Sequence, residues 1–395
     1  MNILDHQILL DLFRSNFGFF TAVTFLLAFA LTWYFIPKVL WVSQEKNLVT
    51  EINHRSSHSL KVPAFGGVAF FVVLILIICL LQSLRTSFTG NHLIIGLTLL
   101  FMAGLKDDLV ISTAKLKLVS QVFAAGFIIF SPELHLENLN GFLGIGAIPL
   151  ALGYLIKLVI VVALINAYNL IDGIDGLASI AGIVICSVFA FVFFVVREPY
   201  YVLISISVVG ILAAFLRFNF SNNRRKIFMG DGGSLTIGFI IAFLSLKILV
   251  MKHSPEMMAE GFMPENRPLF LLSVLFLPVF DTIRVMLIRL KNGKSPFEAD
   301  RNHLHHVMVD NKLNHKQASF GLGFLNICVV AAYVIAGPFF NSAILLGLSV
   351  VGLIFFALVF EILRKRAAYY KDHVQLRPNG VRVKFRRVLR IASIF

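Results

Sequence analysis

Long apolar stretches alternate with short polar segments along the whole chain. Each apolar stretch is close to the roughly 20 residues that an α-helix needs to cross a hydrocarbon core of about 30 Å. This pattern predicts an all-α polytopic membrane protein. We expect eleven transmembrane helices, at residues 18–41, 65–83, 92–106, 117–131, 150–170, 177–196, 199–217, 233–251, 268–290, 320–338 and 342–362.

Composition excludes a soluble domain, because 58% of the 395 residues are hydrophobic and only 14% are charged. The net charge of +14 could indicate nucleic acid. In a polytopic membrane protein, however, basic cytoplasmic loops and an affinity for anionic membrane lipid explain it better. We therefore expect no nucleic-acid partner. Cys79, Cys186 and Cys328 lie inside apolar runs without metal-type spacing, which favours a packing role.

Loop charge predicts the orientation. The loop after the first span, every second loop from there and the C-terminal segment hold 26 Lys and Arg, whereas the remaining segments hold five. The positive-inside rule then places the N-terminus outside and the C-terminus in the cytoplasm. We divide the chain into a transmembrane domain, 1–362, and a basic cytoplasmic tail, 363–395, that we expect to lie on an anionic leaflet.

The stretch NAYNLIDGIDGLA, residues 166–178, is the most informative polar segment. Asn166, Asn169, Asp172 and Asp175 recur at every third position, at the end of an apolar helix. Neighbouring carboxylates repel each other unless a cation or a proton lies between them. The segment indicates a Mg²⁺ and phosphate site, and the alternative is a polar helix cap with a turn.

Two other loops on the same predicted side carry acidic residues. Asp107 and Asp108 end a short apolar helix, and Lys117 follows; this indicates a metal ligand or general base beside a phosphate-binding lysine, unless the lysines only neutralise the acids. Asp231 lies in the glycine-rich turn FMGDGGSL, 228–235, which opens a helix and can expose N–H groups to an anion. An Asp there favours Mg²⁺ as mediator.

Basic and imidazole groups complete this side. His303, His305 and His306 fall within four positions after Arg301. They could bind a transition metal, contact a diphosphate, or be solvated loop residues, and the lack of further ligands favours the diphosphate. His58, in the loop 53–67, could contact an anion or belong to an ordinary basic turn.

Charges inside the apolar runs are a separate group. Lys157 and Lys247 lie within predicted spans, where a central lysine costs about 2.5–3.5 kcal/mol on insertion scales. They could snorkel, face the bundle interior, or lie closer to the span ends than the predicted boundaries place them. Asp281 and Arg284 have the spacing of an i,i+3 pair, and we interpret them as structural.

Five Asp residues among many basic groups indicate a substrate with several phosphates, bound through a divalent metal. A soluble sugar nucleotide and a lipid phosphate meeting at one membrane face would undergo phosphoryl transfer. A lipid or solute transporter is the main alternative, but it would place ionisable groups near the bilayer midplane. A membrane scaffold would leave the five acids unexplained.

These motifs resemble those of the polyprenyl-phosphate N-acetylhexosamine-1-phosphate transferase family. The matching pieces are DDL at 107–109 with Lys117, NAYNLIDGIDGLA, FMGDGGSL and NHLHH at 302–306; RSSHSLKVPAFGG matches more loosely. They occur in the family's order between about residues 55 and 306.

The resemblance implies an integral-membrane, Mg²⁺-dependent phosphoglycosyl transferase, with Mn²⁺ as a substitute. Such enzymes join a UDP-N-acetylhexosamine to a polyprenyl phosphate and release UMP, and some form homodimers. It implies catalytic roles for Asp107, Asp108 and Asp231. It implies metal contacts for Asp231, Asp107 and Asp172. It implies substrate contacts for Lys117, Asn169, Asp172, Asp175, His303, His305, His306, Arg301 and His58.

Two branches of the family differ in their histidine motif. The peptidoglycan branch, which transfers phospho-MurNAc-pentapeptide, tends to have three consecutive histidines after Pro. The His-x-His-His motif after Asp-Arg-Asn, together with eleven spans, is similar to the branch that transfers GlcNAc-1-phosphate to undecaprenyl phosphate in the bacterial inner membrane. The resemblance therefore implies GlcNAc-1-phosphate transfer at the cytoplasmic face, at the start of cell-envelope glycan synthesis.

Overall fold

The computed structural model describes residues 15–48, 62–83, 89–110, 112–222, 224–251, 262–296 and 302–375. His58, Arg301 and the end of the basic tail lie outside these residues. The described part is helical apart from one hairpin, so the predicted all-α class is confirmed.

Thirteen α-helices are present in the described residues. The first seven are α1 Phe17–Glu45, α2 Gly66–Ser83, α3 Thr89–Leu109, α4 Ala114–Ile129, α5 Leu150–Leu170, α6 Leu177–Val195 and α7 Pro199–Asn219. The others are α8 Gly230–Val250, α9 Arg267–Val274, α10 Phe276–Lys291, α11 Leu304–Asp310, α12 His315–Ala336 and α13 Ser342–Gln375. A short antiparallel hairpin, β1 Asn138–Phe142 and β2 Ile145–Ala147, precedes α5. The sequence analysis did not predict this hairpin.

Eight of the described helices are long and apolar enough to cross a membrane. They are α1, α2, α5, α6, α7, α8, α12 and α13. The pair α9 and α10, bent by 74°, gives a ninth span if it is counted as one. The chain is therefore a multi-pass helical membrane protein. Ten of the predicted spans each coincide with one helix, and the span at 268–290 coincides with the bent pair. Helices α3 and α4 do not meet the criterion for crossing a membrane, so the total of eleven stays a prediction, as does the orientation.

Helix α8 lies at the centre of the bundle. It packs against α2, α3 and α5, and nearly all of its side chains are buried. A helix that is apolar all round is expected in such a position. Because α8 begins at Gly230, its central place brings Asp231 and the glycine-rich turn into contact with the ends of neighbouring helices.

Glycines allow three backbones to meet at the start of α8. A Cβ on Gly67 would lie 2.1 Å from the Gly233 nitrogen, and one on Gly104 would lie 2.6 Å from the Gly232 Cα. The backbone of the PAFGG segment also pairs with the turn, since Gly67 N donates to the Met229 carbonyl at 2.9 Å. Helices α2 and α3 therefore fix the turn through backbone contact.

The lysines inside the predicted spans have partners in the bundle. Lys157 is buried and its Nζ donates to the carbonyls of Ile129 at 2.5 Å and Leu134 at 2.9 Å. Lys247 forms an ion pair with Glu198 at 3.0 Å. Lys157 therefore faces the bundle interior, which is one of the alternatives that the sequence left open.

Candidate active site

The predicted polar motifs meet at one end of the helix bundle. Asp107 lies near the end of α3, Lys117 near the start of α4, Asn169 near the end of α5 and Asp231 at the start of α8. Antiparallel helices bring such ends together, so residues more than 100 positions apart in the sequence come into direct contact. The polar centre is the set Asp107, Asp108, Lys117, Asn169, Asp172 and Asp231.

Asp231 is the best-connected residue of this polar centre. Its Oδ2 accepts from Lys117 Nζ at 2.5 Å, and its Oδ1 accepts from Asn169 Nδ2 at 2.7 Å. The same Asn169 nitrogen also lies 2.7 Å from Ser234 Oγ, one turn along α8. Asn169 therefore fixes the rotamer of the Asp231 carboxylate, and Lys117 neutralises it.

Lys117 also joins Asp231 to the acidic pair on α3. Its Nζ lies 3.0 Å from Asp107 Oδ2, while Asp107 Oδ1 accepts from the Ser112 nitrogen at 2.6 Å. The ammonium group thus bridges two carboxylates from different helices. An ammonium group between two acids is also well placed to contact a substrate phosphate.

Asp108 points to the backbone of the glycine-rich turn. Its two carboxylate oxygens accept from the N–H groups of Asp231 at 2.8 Å and Gly232 at 2.9 Å. The sequence suggested that these N–H groups could receive a substrate anion. In the structure the anion at the N-terminus of α8 is the carboxylate of Asp108, so this residue holds the turn in place. Its predicted catalytic role stays a prediction.

Asp172 follows α5 and is half-buried beside the other acids. Among the described residues, no side chain or backbone group hydrogen-bonds to its carboxylate. Burial, together with the negative charges of Asp231, Asp108 and Asp175, raises the pKa of Asp172 to about 7. Such crowding is relieved by a proton or a bound cation.

Asp175 belongs to a second cluster beside the polar centre. Its Oδ2 lies 2.6 Å from Lys226 Nζ and 3.1 Å from His315 Nδ1. Its backbone carbonyl accepts from Ser319 Oγ at 2.8 Å. These contacts attach the loop between α5 and α6 to the segment before α8 and to α12. The predicted contact of Asp175 with substrate stays a prediction.

The three histidines have different surroundings. His303 is buried; its Nδ1 lies 2.9 Å from Asp281 Oδ2, and its Nε2 lies 3.5 Å from Arg289 Nη2. His305 is also buried, and its ring packs on Gly173, where an added Cβ would lie 2.1 Å from Nε2. The half-buried His306 lies beside His305, with ring centroids 4.3 Å apart. The histidine motif therefore contacts the loop between α5 and α6 through the ring of His305.

Asn166 lies outside the polar centre. Its side-chain amide exchanges two hydrogen bonds with that of Gln121, at 3.1 and 2.6 Å. This pair links α4 to α5, one turn before Asn169. The regular spacing of the four polar residues from Asn166 to Asp175 therefore serves three different local purposes.

The carboxylates can be tested as ligands for the implied Mg²⁺. The described residues contain no set of three or more His, Cys, Asp or Glu side chains in metal-binding geometry. Mg²⁺ commonly takes only one or two protein carboxylates together with waters and substrate phosphates. Asp172, whose carboxylate accepts no hydrogen bond from the described residues, and Asp231 beside it are carboxylates of that type. The residues present therefore fit such an ion.

Several contributing residues were not predicted to belong to the site. Asp281 was interpreted as the partner of Arg284; that pair exists at 3.7 Å, but Asp281 also accepts from the Leu304 nitrogen at 2.9 Å. Lys226 and His315 received no individual role. A carboxylate inside an apolar run was the available signal for Asp281, since such a group requires partners.

Fold and site together define a multi-pass helical membrane protein with a carboxylate-rich centre at one end of its bundle. The family model described as glycosyl transferase family 4 matches residues 91–249, which hold the whole polar centre. The resemblance predicted from the motifs is confirmed by this match and by the curated relatives.

Three such relatives each share 28% identity with the chain. Two are undecaprenyl-phosphate alpha-N-acetylglucosaminyl 1-phosphate transferases. The one from Salmonella typhi aligns over 315 residues, 78% of this chain and 80% of its own length. The one from Escherichia coli strain K12 aligns over 299 residues, 73% and 77% respectively. The third, a decaprenyl-phosphate N-acetylglucosaminephosphotransferase from Mycobacterium tuberculosis strain H37Rv, aligns over 371 residues, 88% and 91%.

Proposed function

We propose that the protein transfers a phospho-N-acetylhexosamine, GlcNAc-1-phosphate, from a UDP-sugar to a polyprenyl phosphate. The products are UMP and a lipid-linked sugar diphosphate. The convergence of Asp231, Lys117, Asn169 and Asp107 on one end of a membrane bundle is the observation that supports this best. The names of the relatives support the same lipid acceptor and the same sugar.

In the proposed reaction an oxygen of the lipid phosphate attacks the β-phosphorus of the UDP-sugar. The bond between this phosphorus and the oxygen that bridges to the α-phosphate breaks, and UMP leaves with that oxygen. The second pKa of a phosphate monoester is near 6, so the acceptor is largely dianionic at neutral pH and requires little general base. Positioning and charge neutralisation then account for most of the rate enhancement.

The residues of the polar centre have separable roles in this proposal. Lys117 contacts a substrate phosphate and limits the repulsion between the Asp107 and Asp231 carboxylates. Asn169 orients Asp231, and Asp108 holds the turn from which Asp231 projects. Asp231 and Asp172 would hold Mg²⁺, which when bound supplies positive charge to the diphosphate and to the departing UMP.

We place this site at the cytoplasmic face of the bacterial inner membrane. The segments predicted to be cytoplasmic hold 26 Lys and Arg and the remaining segments hold five, which supports that orientation through the positive-inside rule. UDP-sugars are soluble cytoplasmic molecules, whereas the acceptor reaches the same face from within the bilayer. A site at helix ends, instead of at the bilayer midplane, agrees better with an enzyme than with a transporter.

The test follows UMP release by membranes that contain the full-length protein. We expect release from UDP-GlcNAc only when polyprenyl phosphate and Mg²⁺ are both supplied. UDP-MurNAc-pentapeptide and other UDP-sugars in the same assay distinguish the branches of the family. Asp231→Asn and Asp107→Asn should abolish turnover without loss of membrane insertion. Asp310→Asn, the same change at an exposed residue outside the site, is the matched control; full activity in the Asp231 variant would refute the proposal.

A further inference from the structure

A groove lies between α1 and the segment that joins α7 to α8. Trp33, Trp41 and Phe218 line it together with Arg224 and Arg225, and its volume is about 440 Å³. The rings of Trp33 and Phe218 are in contact, with centroids 5.3 Å apart. The groove therefore combines an aromatic wall with two arginines that are adjacent in sequence.

The aromatic wall is still open to the surroundings. Trp33 is 45% exposed and Trp41 is 65% exposed, and they lie two turns apart on one stripe of α1. Indole side chains on membrane helices are typical of the boundary between the hydrocarbon and the headgroups. Gln44 fixes the basic side relative to this wall, because its Nε2 donates to the Arg224 carbonyl at 2.8 Å.

The charge of the groove is one-sided. None of the described residues that line it is acidic, and Arg224 and Arg225 are both exposed. A guanidinium group matches a phosphate with two parallel N–H donors. We infer that the groove binds one anionic phospholipid, whose phosphate contacts Arg224 and Arg225 while an acyl chain lies along Trp33 and Trp41.

The groove is separate from the polar centre, although both depend on the same chain segment. Lys226, the next residue, turns to Asp175 instead and pairs with it at 2.6 Å. The residues that line the groove include none of the polar centre. A membrane phospholipid is therefore a better match for the groove than the polyprenyl phosphate acceptor, which must reach Asp231.

The expected selectivity follows from the two charges. Each basic residue near a membrane surface favours an anionic lipid by roughly fivefold, so the pair favours it by about 25-fold over a zwitterionic lipid. At about one anionic lipid in ten, roughly three quarters of the grooves would then hold one. That difference is large enough to measure in a mixed bilayer.

The experiment uses the intrinsic fluorescence of the full-length protein, because Trp33 and Trp41 are its only two tryptophans. The protein is placed in phosphatidylcholine vesicles that contain about one tenth brominated phosphatidylglycerol, or the same fraction of brominated phosphatidylcholine. Bromine quenches indole only at short range. We expect at least twice as much quenching by the brominated phosphatidylglycerol, and equal quenching by the two lipids would overturn the proposal.

Variants separate the groove from general surface charge. Arg224→Gln with Arg225→Gln should remove the excess quenching, whereas Lys38→Gln with Lys365→Gln, which also removes two exposed charges, should preserve it. The single variant Arg224→Gln, expected to lose about fivefold in selectivity, replaces the double variant if the latter does not fold. Persistence of the excess in the arginine variants would overturn the proposal. So would relief of quenching by polyprenyl phosphate but not by unbrominated phosphatidylglycerol. The measurement requires no turnover, so its outcome is independent of the proposed enzymatic function.

Discussion

The contact between Asp281 and the histidine motif gives the sharpest prediction. Asp281 lies on α10. Its Oδ2 lies 2.9 Å from His303 Nδ1, and its Oδ1 accepts from the Leu304 nitrogen, also at 2.9 Å. The side chains of Asp281 and His303 are only 2% and 7% exposed. We predict that Asp281 positions the start of α11, and through it His305 against Gly173.

The magnitude follows from the two hydrogen bonds. A buried hydrogen bond to a charged group is worth about 1.5–3 kcal/mol. Asp281→Asn keeps an acceptor for the Leu304 nitrogen but removes the charged partner of His303. We therefore expect the free energy that holds the start of α11 in place to fall by about 1.5–3 kcal/mol. At 1.36 kcal/mol per tenfold, this corresponds to a decrease of roughly 10- to 150-fold in kcat/KM. Asp281→Ala loses both contacts and should decrease kcat/KM further.

The assay is UMP release with both substrates varied, together with the melting temperature of the purified protein in detergent. Glu361→Gln is the matched control, since it changes a carboxylate to an amide in a partly exposed pair with Arg364, at 2.8 Å. Such pairs contribute about 0–1 kcal/mol, so kcat/KM should change by less than fivefold. If Asp281→Asn were as active as Glu361→Gln, Asp281 would have no positioning role.

Three further predictions concern other parts of the structure. Gly173→Ala should displace His305 and abolish UMP release, whereas Gly126→Ala, where nothing lies within 4 Å of the added Cβ, should leave the rate unchanged. The pKa of Asp172 is raised from its ordinary 3.8 to about 7, so below about pH 7 a proton competes with the cation for this carboxylate. The Mg²⁺ concentration for half-maximal activity should therefore rise by up to about tenfold per pH unit as the pH falls below 7. A constant Mg²⁺ requirement between pH 6 and 8 would contradict this. Lys157→Met leaves two buried carbonyls without their donor, at about 1–3 kcal/mol each, so the melting temperature should fall while KM for the UDP-sugar stays the same.

The sequence predicted the helices well because apolar length is a local property. Ten of the expected spans each coincide with one helix, and the break between α9 and α10 falls inside the span expected at 268–290. The bend itself was not predicted, although Pro278 lies three residues after it. Pro278 has no N–H to donate to the Val274 carbonyl, which accepts from Asn326 Nδ2 at 3.1 Å instead. The hairpin at 138–147 was also missed, because it lies in a segment read only for its charge.

The members of the polar centre were predictable, but their contacts were not. The spacing of charged residues around Asp107, Asp172 and Asp231 identified the right segments. Which acid faces which donor depends on how helix ends meet, and this is a property of packing. Asp107 and Asp108 are neighbours in sequence, yet one pairs with Lys117 and the other binds backbone N–H groups.

The interpretation of Asp281 shows the same limit. Its i,i+3 partner Arg284 was found from helical periodicity and the pair is present. Its contact with His303 joins residues 22 positions apart in the sequence. Part of the chain between them, 297–301, lies outside the described residues. Local spacing could indicate that the carboxylate needs a partner, but it could not identify the partner.

Under the proposed function, the carboxylate of Asp108 at the start of α8 has a consequence for how the protein recognises its nucleotide substrate. Many nucleotide-binding folds hold phosphates with main-chain amides, whose position is independent of side-chain identity. Here an internal acid already occupies two of those amides. Under the proposed function, recognition of the diphosphate then depends on charged side chains and a dissociable cation. Donor affinity should accordingly weaken with ionic strength, and a single lysine substitution could retune it without any change in the backbone.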